Sequence, residues 1–352
     1  MTDMAAQLFA RMHEAYHAGA FEGACEFEIG DSPADVFHVL MRERCLSFVK
    51  GRHPHPTSRV KMPAAIARFL LDGAEDIDFR SPTLARHLDV QGDITLAFSL
   101  GLLLRRPSVA TTKRFERASR ISGLHSPNLQ VARLHAPSEE QVAQCLAEQR
   151  PAVVTGALDH WEIPGSLPQL ATRFGDCALP LDARIVRHRS IGDLVSAMLG
   201  DRPEQVYTHG CEIPAAMQRA FPPPFFDGRG APVGAQLWMG HGGAGTRPVT
   251  LLHRDNLHGL LAQICGVKRI LMYAPHQSEL LYPWTAFNAS QPCHVDPSAP
   301  DLRRYPLFAT ARGLEVRLQP GEILVNPLGW FHCVFGEGPV VSLSYSFAAE
   351  AA

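Results

Sequence analysis

The segment Thr250-Leu251-Leu252-His253-Arg254-Asp255 restricts the fold of this chain more than any other stretch. On a β-strand, residues i and i+2 project from the same face and lie roughly 7 Å apart. His253 and Asp255 can therefore direct an imidazole and a carboxylate at one point. A second histidine, His332, follows 79 residues after His253 (332 − 253). Only a fold that pairs two remote strands can bring its imidazole to the same point.

Two histidines and one carboxylate form the facial triad with which non-haem Fe(II) oxygenases hold iron. Three protein ligands leave about three sites open on an octahedral ion, which suits a reactive metal. A His-x-Asp pair alone is weak evidence, because it can be a surface histidine beside a helix-capping aspartate. Residues 321–327 read as a turn, a strand and a loop that would return His332 across a barrel. We therefore predict a metal site formed by His253, Asp255 and His332.

Lys268 is one of four lysines in a chain that holds 33 lysines and arginines together. It begins the apolar strand 268–273. If its side chain points inward, the ammonium needs an anionic partner, because burying it alone costs several kcal/mol. A dicarboxylic cosubstrate would serve, with its 2-oxo-acid end chelating iron and its other carboxylate paired with Lys268. The alternative is a lysine at a hairpin edge whose amine reaches solvent.

Short apolar segments separated by Gly and Pro turns run from 131 to 347. Ser138 and Gln141 have the spacing of a helix capping box. Residues 259–264 and 268–273 predict a hairpin about Cys265-Gly266. Many short strands and few helices favour a β-sandwich or barrel. We therefore expect a mainly-β domain over 131–352.

Residues 1–108 mix helix and strand patterns and predict an α+β domain. Helices are expected at 3–18, from Pro63 and at 95–104, with short strands at 25–29, 36–41, 45–49 and 60–62. Residues 109–130 end in Ser126-Pro127-Asn128 and are interpreted as a linker. The basic run 113–120 within it is interpreted as a solvated helix face rather than a nucleic-acid patch.

The order of these elements, and the run Leu88-Asp89-Val90-Gln91-Gly92-Asp93-Ile94-Thr95-Leu96-Ala97, resembles the sterol-carrier-protein type-2 fold. The resemblance covers about residues 15–105. It implies a pocket for an apolar ligand between a sheet and its helices. The alternative is a docking or stabilising domain with an ordinary core.

Composition excludes several classes of protein. The chain is 46% hydrophobic and 19% charged with a formal net charge of −2, which argues against an extended nucleic-acid surface, so no nucleic-acid partner is expected. No signal peptide and no apolar run of roughly 18 residues is visible, so no membrane span is expected. The eight cysteines are scattered without a Cys-x-x-Cys pair. They predict reduced thiols in a cytoplasmic protein.

Several sequence blocks occur in a recognisable order: Pro151-Ala152-Val153-Val154-Thr155-Gly156 with Trp161, His253-x-Asp255, residues 260–269, Tyr282-Pro283, Pro320-Gly321-Glu322 and Trp330-Phe331-His332. Through these blocks, residues 131–347 resemble the JmjC, or cupin-like, family of Fe(II)- and 2-oxoglutarate-dependent oxygenases. In layout they resemble the asparaginyl hydroxylases of the type of factor inhibiting hypoxia-inducible factor. The resemblance implies a double-stranded β-helix, or jelly roll.

The resemblance also implies roles for single residues. His253, Asp255 and His332 would bind iron, and Lys268 would hold the distal carboxylate of 2-oxoglutarate. The remaining matches to groups that contact the cosubstrate are Thr250, Tyr207 and Ser346. Thr250 lies three residues before His253, so it can share that face only through a local irregularity of the strand.

Three positions depart from the asparaginyl hydroxylases. Ser346 stands where they have an asparagine, Gly259 replaces another polar donor, and Ala348 replaces a tryptophan. We expect cosubstrate binding to survive these changes and the substrate pocket to differ. The sequence also ends at Ala352, so we do not expect the dimerising helices that follow the last strand in those relatives.

The resemblance implies hydroxylation of an unactivated C–H bond by Fe(II), 2-oxoglutarate and O₂, on a peptide or protein side chain or on a small molecule. Oxidative N-demethylation by the same site is one alternative. A non-catalytic cupin binding module is another, and a zinc- or manganese-dependent cupin with isomerase or hydrolase chemistry is a third.

Overall fold

The computed structural model describes residues 4–16, 22–30, 35–42, 45–72, 84, 86–125, 130–179, 189–202, 206–208, 210–225, 232–288 and 290–348. The chain divides into two compact units. Unit 1 comprises Met1–Thr112 and Trp284–Gln291, and unit 2 comprises Lys113–Pro283 and Pro292–Ala352. The boundaries expected at 108 and 131 stay predictions, and nothing in the sequence indicated that Trp284–Gln291 groups with unit 1.

Unit 1 is an α/β region built on one sheet. Its elements are α1 (Met4–Ala15), β1 (Gly23–Ile29), β2 (Val36–Arg42), β3 (Cys45–Lys50), β4 (Ser58–Met62), α2 (Ala64–Leu71), β5 (Asp89–Gly92) and α3 (Ile94–Leu102). The strand order is β3-β2-β1-β4-β5, with β1 and β4 parallel and the other pairs antiparallel.

Strand alternation separates the two faces of this sheet. Phe27 of β1 and Phe37 of β2 are buried and stack with their ring centroids 5.0 Å apart. On the other face, the carboxylate of Glu26 accepts from the guanidinium groups of Arg52 and Arg59. One face therefore joins an apolar core and the other carries ion pairs. The sterol-carrier-like identity of this unit and an apolar ligand within it stay predictions.

Much of the segment expected to be a linker is a helix, α4 (Val109–Leu124). Phe115 and Ala118 are buried, while Lys113 and Arg117 are exposed, which is the solvated basic face expected for this run. Thr111, Phe115, Ala118 and Ser122 of this helix are buried at helical spacing, but two of these four residues are polar, which is why the sequence pattern favours a linker. The turn signal at 126–128 lies outside the described residues.

Unit 2 is mainly β. Its strands are β6 (Ala132–His135), β7 (Ala152–Thr155), β8 (Cys211–Glu212), β9 (Gly234–Ala244), β10 (Thr250–Asp255), β11 (His258–Tyr273), β13 (Leu314–Leu318), β14 (Ile323–Asn326) and β15 (Phe331–Phe347). A short strand, β12 (Ser290–Pro292), spans the boundary between Gln291 and Pro292. Its further helices are α5 (Glu139–Ala147), α6 (Leu167–Phe174), α7 (Ile191–Met198) and α8 (Ala215–Ala220), with 3₁₀ turns at Pro275–Leu281 and Pro306–Thr310.

β15 is the strand around which unit 2 is arranged. The strand order is β10-β15-β11-β14-β7-β6, and β9 also pairs with β15. β11 and β15 run antiparallel from the pair His258 and Phe347 to the pair Tyr273 and Phe331. This pairing fixes which side chains of the two long strands share a face. The double-stranded β-helix layout of unit 2 stays a prediction.

The hairpin expected about Cys265-Gly266 is wrong, because β11 passes through this point as one strand. Both halves pair with β15, and the register shifts between Gln263 and Val267. Gly266 adopts a φ of 71°, which a glycine takes without steric cost. Between the pairs Gln263–Ser342 and Val267–Glu337, β15 has one residue more than β11, and the two strands accommodate it as a bulge without a reversal of β11.

The capping box expected at Ser138 and Gln141 is confirmed. The Ser138 hydroxyl accepts from the Gln141 amide, and the Gln141 side chain accepts from the Ser138 amide at 2.8 Å.

Among the helices that the structure describes, none combines the length and the apolar character needed to cross a membrane.

Candidate functional site

The pairing of β10 with β15 brings the two distant histidines together. His253 and His332 are direct partners in the antiparallel register, and their ring centroids lie 4.2 Å apart. The register shifts between Thr250 and His253, which is the irregularity that the sequence argument required near Thr250. Two strands that are remote in sequence therefore place both imidazoles on one side of the sheet.

Both imidazoles present the same nitrogen to the centre of this cluster. The Nδ1 atom of His253 lies 2.8 Å from the carbonyl oxygen of Leu251, and that of His332 lies 3.1 Å from the carbonyl oxygen of Trp330. A carbonyl oxygen can only accept, so each Nδ1 carries the proton. Each Nε2 is then left with a free lone pair, which is the form that binds a metal.

The carboxylate of Asp255 completes the cluster. Its Oδ2 atom lies 3.7 Å from the Nε2 atom of His253 and 3.7 Å from that of His332. The three ligand atoms lie within 4.8 Å of one another. Burial, reinforced by His253 and opposed by Asp255, lowers the pKa of His332 to about 4. Neutral imidazole is therefore the form of His332 at neutral pH.

The donor set fits an iron ion. In the part of the chain that the structure describes, these three side chains are the ones grouped closely enough to hold a metal. Two imidazole nitrogens and one carboxylate oxygen on one side of an ion suit Fe(II) and leave positions for small ligands.

Lys268 is buried, with 1% of its surface exposed. Its Nζ atom lies 6.0 Å from the ring centroids of Tyr207 and Trp238, and within the described residues it forms no hydrogen bond or ion pair. Burial lowers the pKa of the Lys268 ammonium to about 7. A lysine whose amine reaches solvent is therefore excluded, and the amine lies in a position where an anion would stabilise its charge.

The amine and the metal cluster lie on the same face of the sheet. Met272 of β11 pairs directly with His332, and Lys268 lies four residues earlier on β11, on the same side of the strand. Four residues of strand span about 13 Å. The amine and the metal-ligand cluster are therefore separated by a few residues along one face of the sheet.

The other expected contacts to the cosubstrate occupy different surroundings. Tyr207 is buried next to Lys268, and burial raises the pKa of its phenol, so the hydroxyl stays protonated as a donor. Ser346 pairs with Gly259 on β11, and Thr250 pairs with Val334 on β15. The roles of Tyr207, Ser346 and Thr250 toward a cosubstrate stay predictions.

Two further polar residues near the candidate ligands in sequence, Arg254 and His258, are buried and partly buried, respectively. The guanidinium of Arg254 lies between two rings, 3.8 Å from the centroid of Phe115 and 4.7 Å from that of Phe331. His258 accepts from the amide of Leu328 at 2.9 Å, and burial lowers its pKa to about 4. Both side chains have packing roles in unit 2.

Asn326 also belongs to this site, although the sequence motifs do not include it. Its Nδ2 atom lies 3.3 Å from the Nδ1 atom of His332, and only 8% of the residue is exposed. An amide at the end of the otherwise apolar strand Ile323–Asn326, six residues before a metal-ligand candidate, was the signal that could have identified it.

Comparison with known proteins finds similarity in the part of the chain that carries this site. Residues 195–351 match the cupin-like domain family. Jumonji C domain-containing protein 5 of Drosophila melanogaster is 28% identical over 247 residues, which cover 62% of this chain and 60% of that protein. Lysine-specific demethylase 8 of Xenopus tropicalis is 25% identical over 228 residues, covering 58% of this chain and 49% of that protein.

A third relative is named for a different reaction. tRNA wybutosine-synthesizing protein 5 of Homo sapiens is 38% identical over 104 residues, which cover 30% of this chain and 28% of that protein. The chain thus spans between about a quarter and six tenths of the length of these curated relatives. His253, Asp255, His332 and Lys268 all fall within residues 195–351, the segment that matches the cupin-like domain family.

Proposed function

We propose that the chain is an Fe(II)- and 2-oxoglutarate-dependent dioxygenase that hydroxylates an unactivated C–H bond. The observation that carries this proposal is the buried amine of Lys268, which has no anionic partner in the described residues and shares a face with three converging metal-ligand atoms. A dianion that chelates the metal at one end meets the requirements of both groups.

Each residue has a defined task in this proposal. His253, Asp255 and His332 hold the ion on one side, and the hydrogen bonds at both Nδ1 atoms keep the imidazoles in the metal-binding form. Lys268 pairs with the distal carboxylate of 2-oxoglutarate, and the phenol of Tyr207 donates to the same group. Bound iron supplies the activation of O₂ that is coupled to oxidative decarboxylation of 2-oxoglutarate to succinate and CO₂.

The substrate is proposed as a class. One relative is named for lysine demethylation and another for tRNA wybutosine synthesis, so the names of the relatives select no single substrate. We propose a peptide or protein side chain, or a small molecule, as the acceptor of the hydroxyl group. A cytoplasmic location, suggested by the scattered cysteines, belongs to the same proposal.

The test is turnover of 2-oxoglutarate by ligand variants. With Fe(II), ascorbate and O₂, the wild-type protein should convert 2-oxoglutarate to succinate, slowly without substrate and faster with a correct one. Asp255→Ala and His332→Ala should reduce succinate formation at least 100-fold. Arg247→Ala, at an exposed position of the same segment, is the control and should keep the wild-type rate.

Retained succinate formation in Asp255→Ala would overturn the proposal. The product then decides between the two oxidative reactions. A mass increase of one oxygen atom in the substrate indicates hydroxylation, whereas release of formaldehyde with loss of a methyl group indicates N-demethylation. Zinc or manganese binding without any response to 2-oxoglutarate would support a cupin of another class.

A further inference from the structure

Asn326 is a buried polar residue whose side chain lies close to both β11 and β15 of the candidate site. It is the last residue of β14 and pairs directly with Gly259 of β11. A Cβ atom added at Gly259 would lie 3.8 Å from the Cβ atom of Asn326 and 3.9 Å from its Nδ2 atom, so the amide lies over the glycine. From there its side chain reaches the imidazole of His332.

The hydrogen bonds around this amide determine its orientation. The Nδ1 atom of His332 must carry a proton, because it donates to the carbonyl oxygen of Trp330 at 3.1 Å. As placed, the NH₂ group of Asn326 faces that N–H group at 3.3 Å, so two donors oppose each other. The Oδ1 atom of Asn326 is buried and has no hydrogen-bond partner among the described residues.

A half-turn of the amide removes both problems. The oxygen and nitrogen of an asparagine amide have nearly the same shape, and their assignment follows from the hydrogen bonds that they form. After the exchange, Oδ1 accepts from the Nδ1–H group of His332, which is shared with the carbonyl oxygen of Trp330. The buried acceptor is then satisfied, and the imidazole is held from two directions.

We propose that Asn326 is a positioning residue that holds His332 in its metal-binding tautomer and orientation. Two acceptors at Nδ1–H make the alternative tautomer, with the proton on Nε2, unfavourable, because it would leave two buried oxygens without a donor. The ring is also held against rotation, so Nε2 stays directed at Asp255 and His253. This inference rests on the proposed function only in requiring that His332 binds a metal.

The effect should appear in metal affinity, which can be measured without turnover. Outer hydrogen-bond partners of metal-bound histidines typically contribute about 10- to 100-fold in affinity. Asn326→Leu removes the acceptor and keeps a similar volume, so we expect its affinity for Co(II), titrated under anaerobic conditions, to fall by about that factor. Asn326→Asp retains an acceptor oxygen and should bind Co(II) within a few-fold of the wild type.

The matched control is Ser342→Ala. Ser342 is also buried in unit 2, and its hydroxyl donates to the side chain of Gln263 rather than to a candidate ligand. This variant should lose stability in urea without losing Co(II) affinity. If Asn326→Leu fails to fold, ¹⁵N NMR of the histidine rings in the metal-free wild type still tests the proposal, since His332 should carry its proton on Nδ1.

Three results would overturn the role of Asn326. They are a wild-type His332 protonated on Nε2, an Asn326→Leu variant with wild-type Co(II) affinity, and a Ser342→Ala variant that loses as much affinity as Asn326→Leu. A wild-type protein that binds no metal would remove this inference together with the proposed function. A protein that binds Co(II) through His332 but forms no succinate would contradict the proposed function alone.

Discussion

Burial decides the charge of the side chains that matter most in this site. Lys268 is buried and His332 is largely buried, with 13% of its side chain exposed, and each has a pKa well below its ordinary value. For His332 the consequence is a neutral ring with an available lone pair. For Lys268 the consequence is a cost, because below its pKa the protein must hold an ammonium without a counter-ion.

Replacing Lys268 by methionine should therefore change stability and binding in opposite directions. Lys268→Met removes a buried cation and keeps a similar length, so the metal-free protein should become more stable by about 1–4 kcal/mol in urea unfolding. The same variant should lose binding of 2-oxoglutarate in the presence of Fe(II), as measured by anaerobic calorimetry.

Lys113→Met, at an exposed position of α4, is the control and should change neither quantity. A Lys268→Met protein that is less stable than the wild type, or that binds 2-oxoglutarate as well, would show that the amine has a different partner.

At this scale, the sequence was informative about which side chains meet and uninformative about what surrounds them. The i, i+2 spacing of His253 and Asp255 was sufficient to predict that both face one point, and the structure shows that they do. Burial of Lys268 depends on β13 and β15, which both pair with its strand. These two strands lie at least 46 residues after Lys268 in the chain (314 − 268). The contact of Asn326 with His332 likewise depends on how two strands pack.

Among the elements, β11 shows how a bulge can be mistaken for a turn. The sequence pattern predicts a reversal of the chain because Gly266 lies between two apolar runs, and this glycine does adopt the positive φ typical of a turn. Both halves of β11 pair with β15, and this pairing keeps β11 a single strand. The local sequence around Gly266 carries no information about that pairing. The sequence pattern predicts only part of α4, since Thr111 and Ser122, two of its four buried residues, are polar.

Substitution of Gly266 should be far more costly than substitution of a glycine in open space. Gly266→Ala combines an unfavourable positive φ with a clash against the backbone carbonyl of Pro339. Gly321 has a φ of 85° and nothing within 4 Å of an added Cβ atom, so Gly321→Ala carries the conformational cost alone, about 1 kcal/mol.

We expect Gly266→Ala to lower the free energy of unfolding by at least about 2 kcal/mol more than Gly321→Ala, since backbone atoms must move to admit the methyl group. Urea titration of the metal-free protein measures both values. Equal losses in the two variants would indicate that the bulge has another geometry.

For the molecule as a whole, the low pKa of Lys268 links stability to pH. The folded-state pKa is about 7, against an ordinary value of 10.5, so between these values the unfolded chain binds more protons than the folded one. Stability from this group therefore rises as the pH increases from about 7 to 10.5 and reaches its lowest level below pH 7.

This linkage is measurable as a difference between two proteins. The stability of the metal-free wild type minus that of Lys268→Met should increase between pH 7 and pH 10, because all other titrating groups are common to both. Urea unfolding at several pH values gives this difference. A difference that stays constant, or that falls as the pH rises, would contradict a buried and unpaired amine.

The division of the candidate ligands between β10 and β15 has a consequence for how a bound ion would be lost. Two ligands belong to one strand and the third to its neighbour, so parting these strands dismantles the coordination sphere in one event. The ion would then be released when β10 and β15 separate cooperatively, and not when a single loop opens. Iron occupancy would then report the fraction of molecules in which β10 and β15 remain paired.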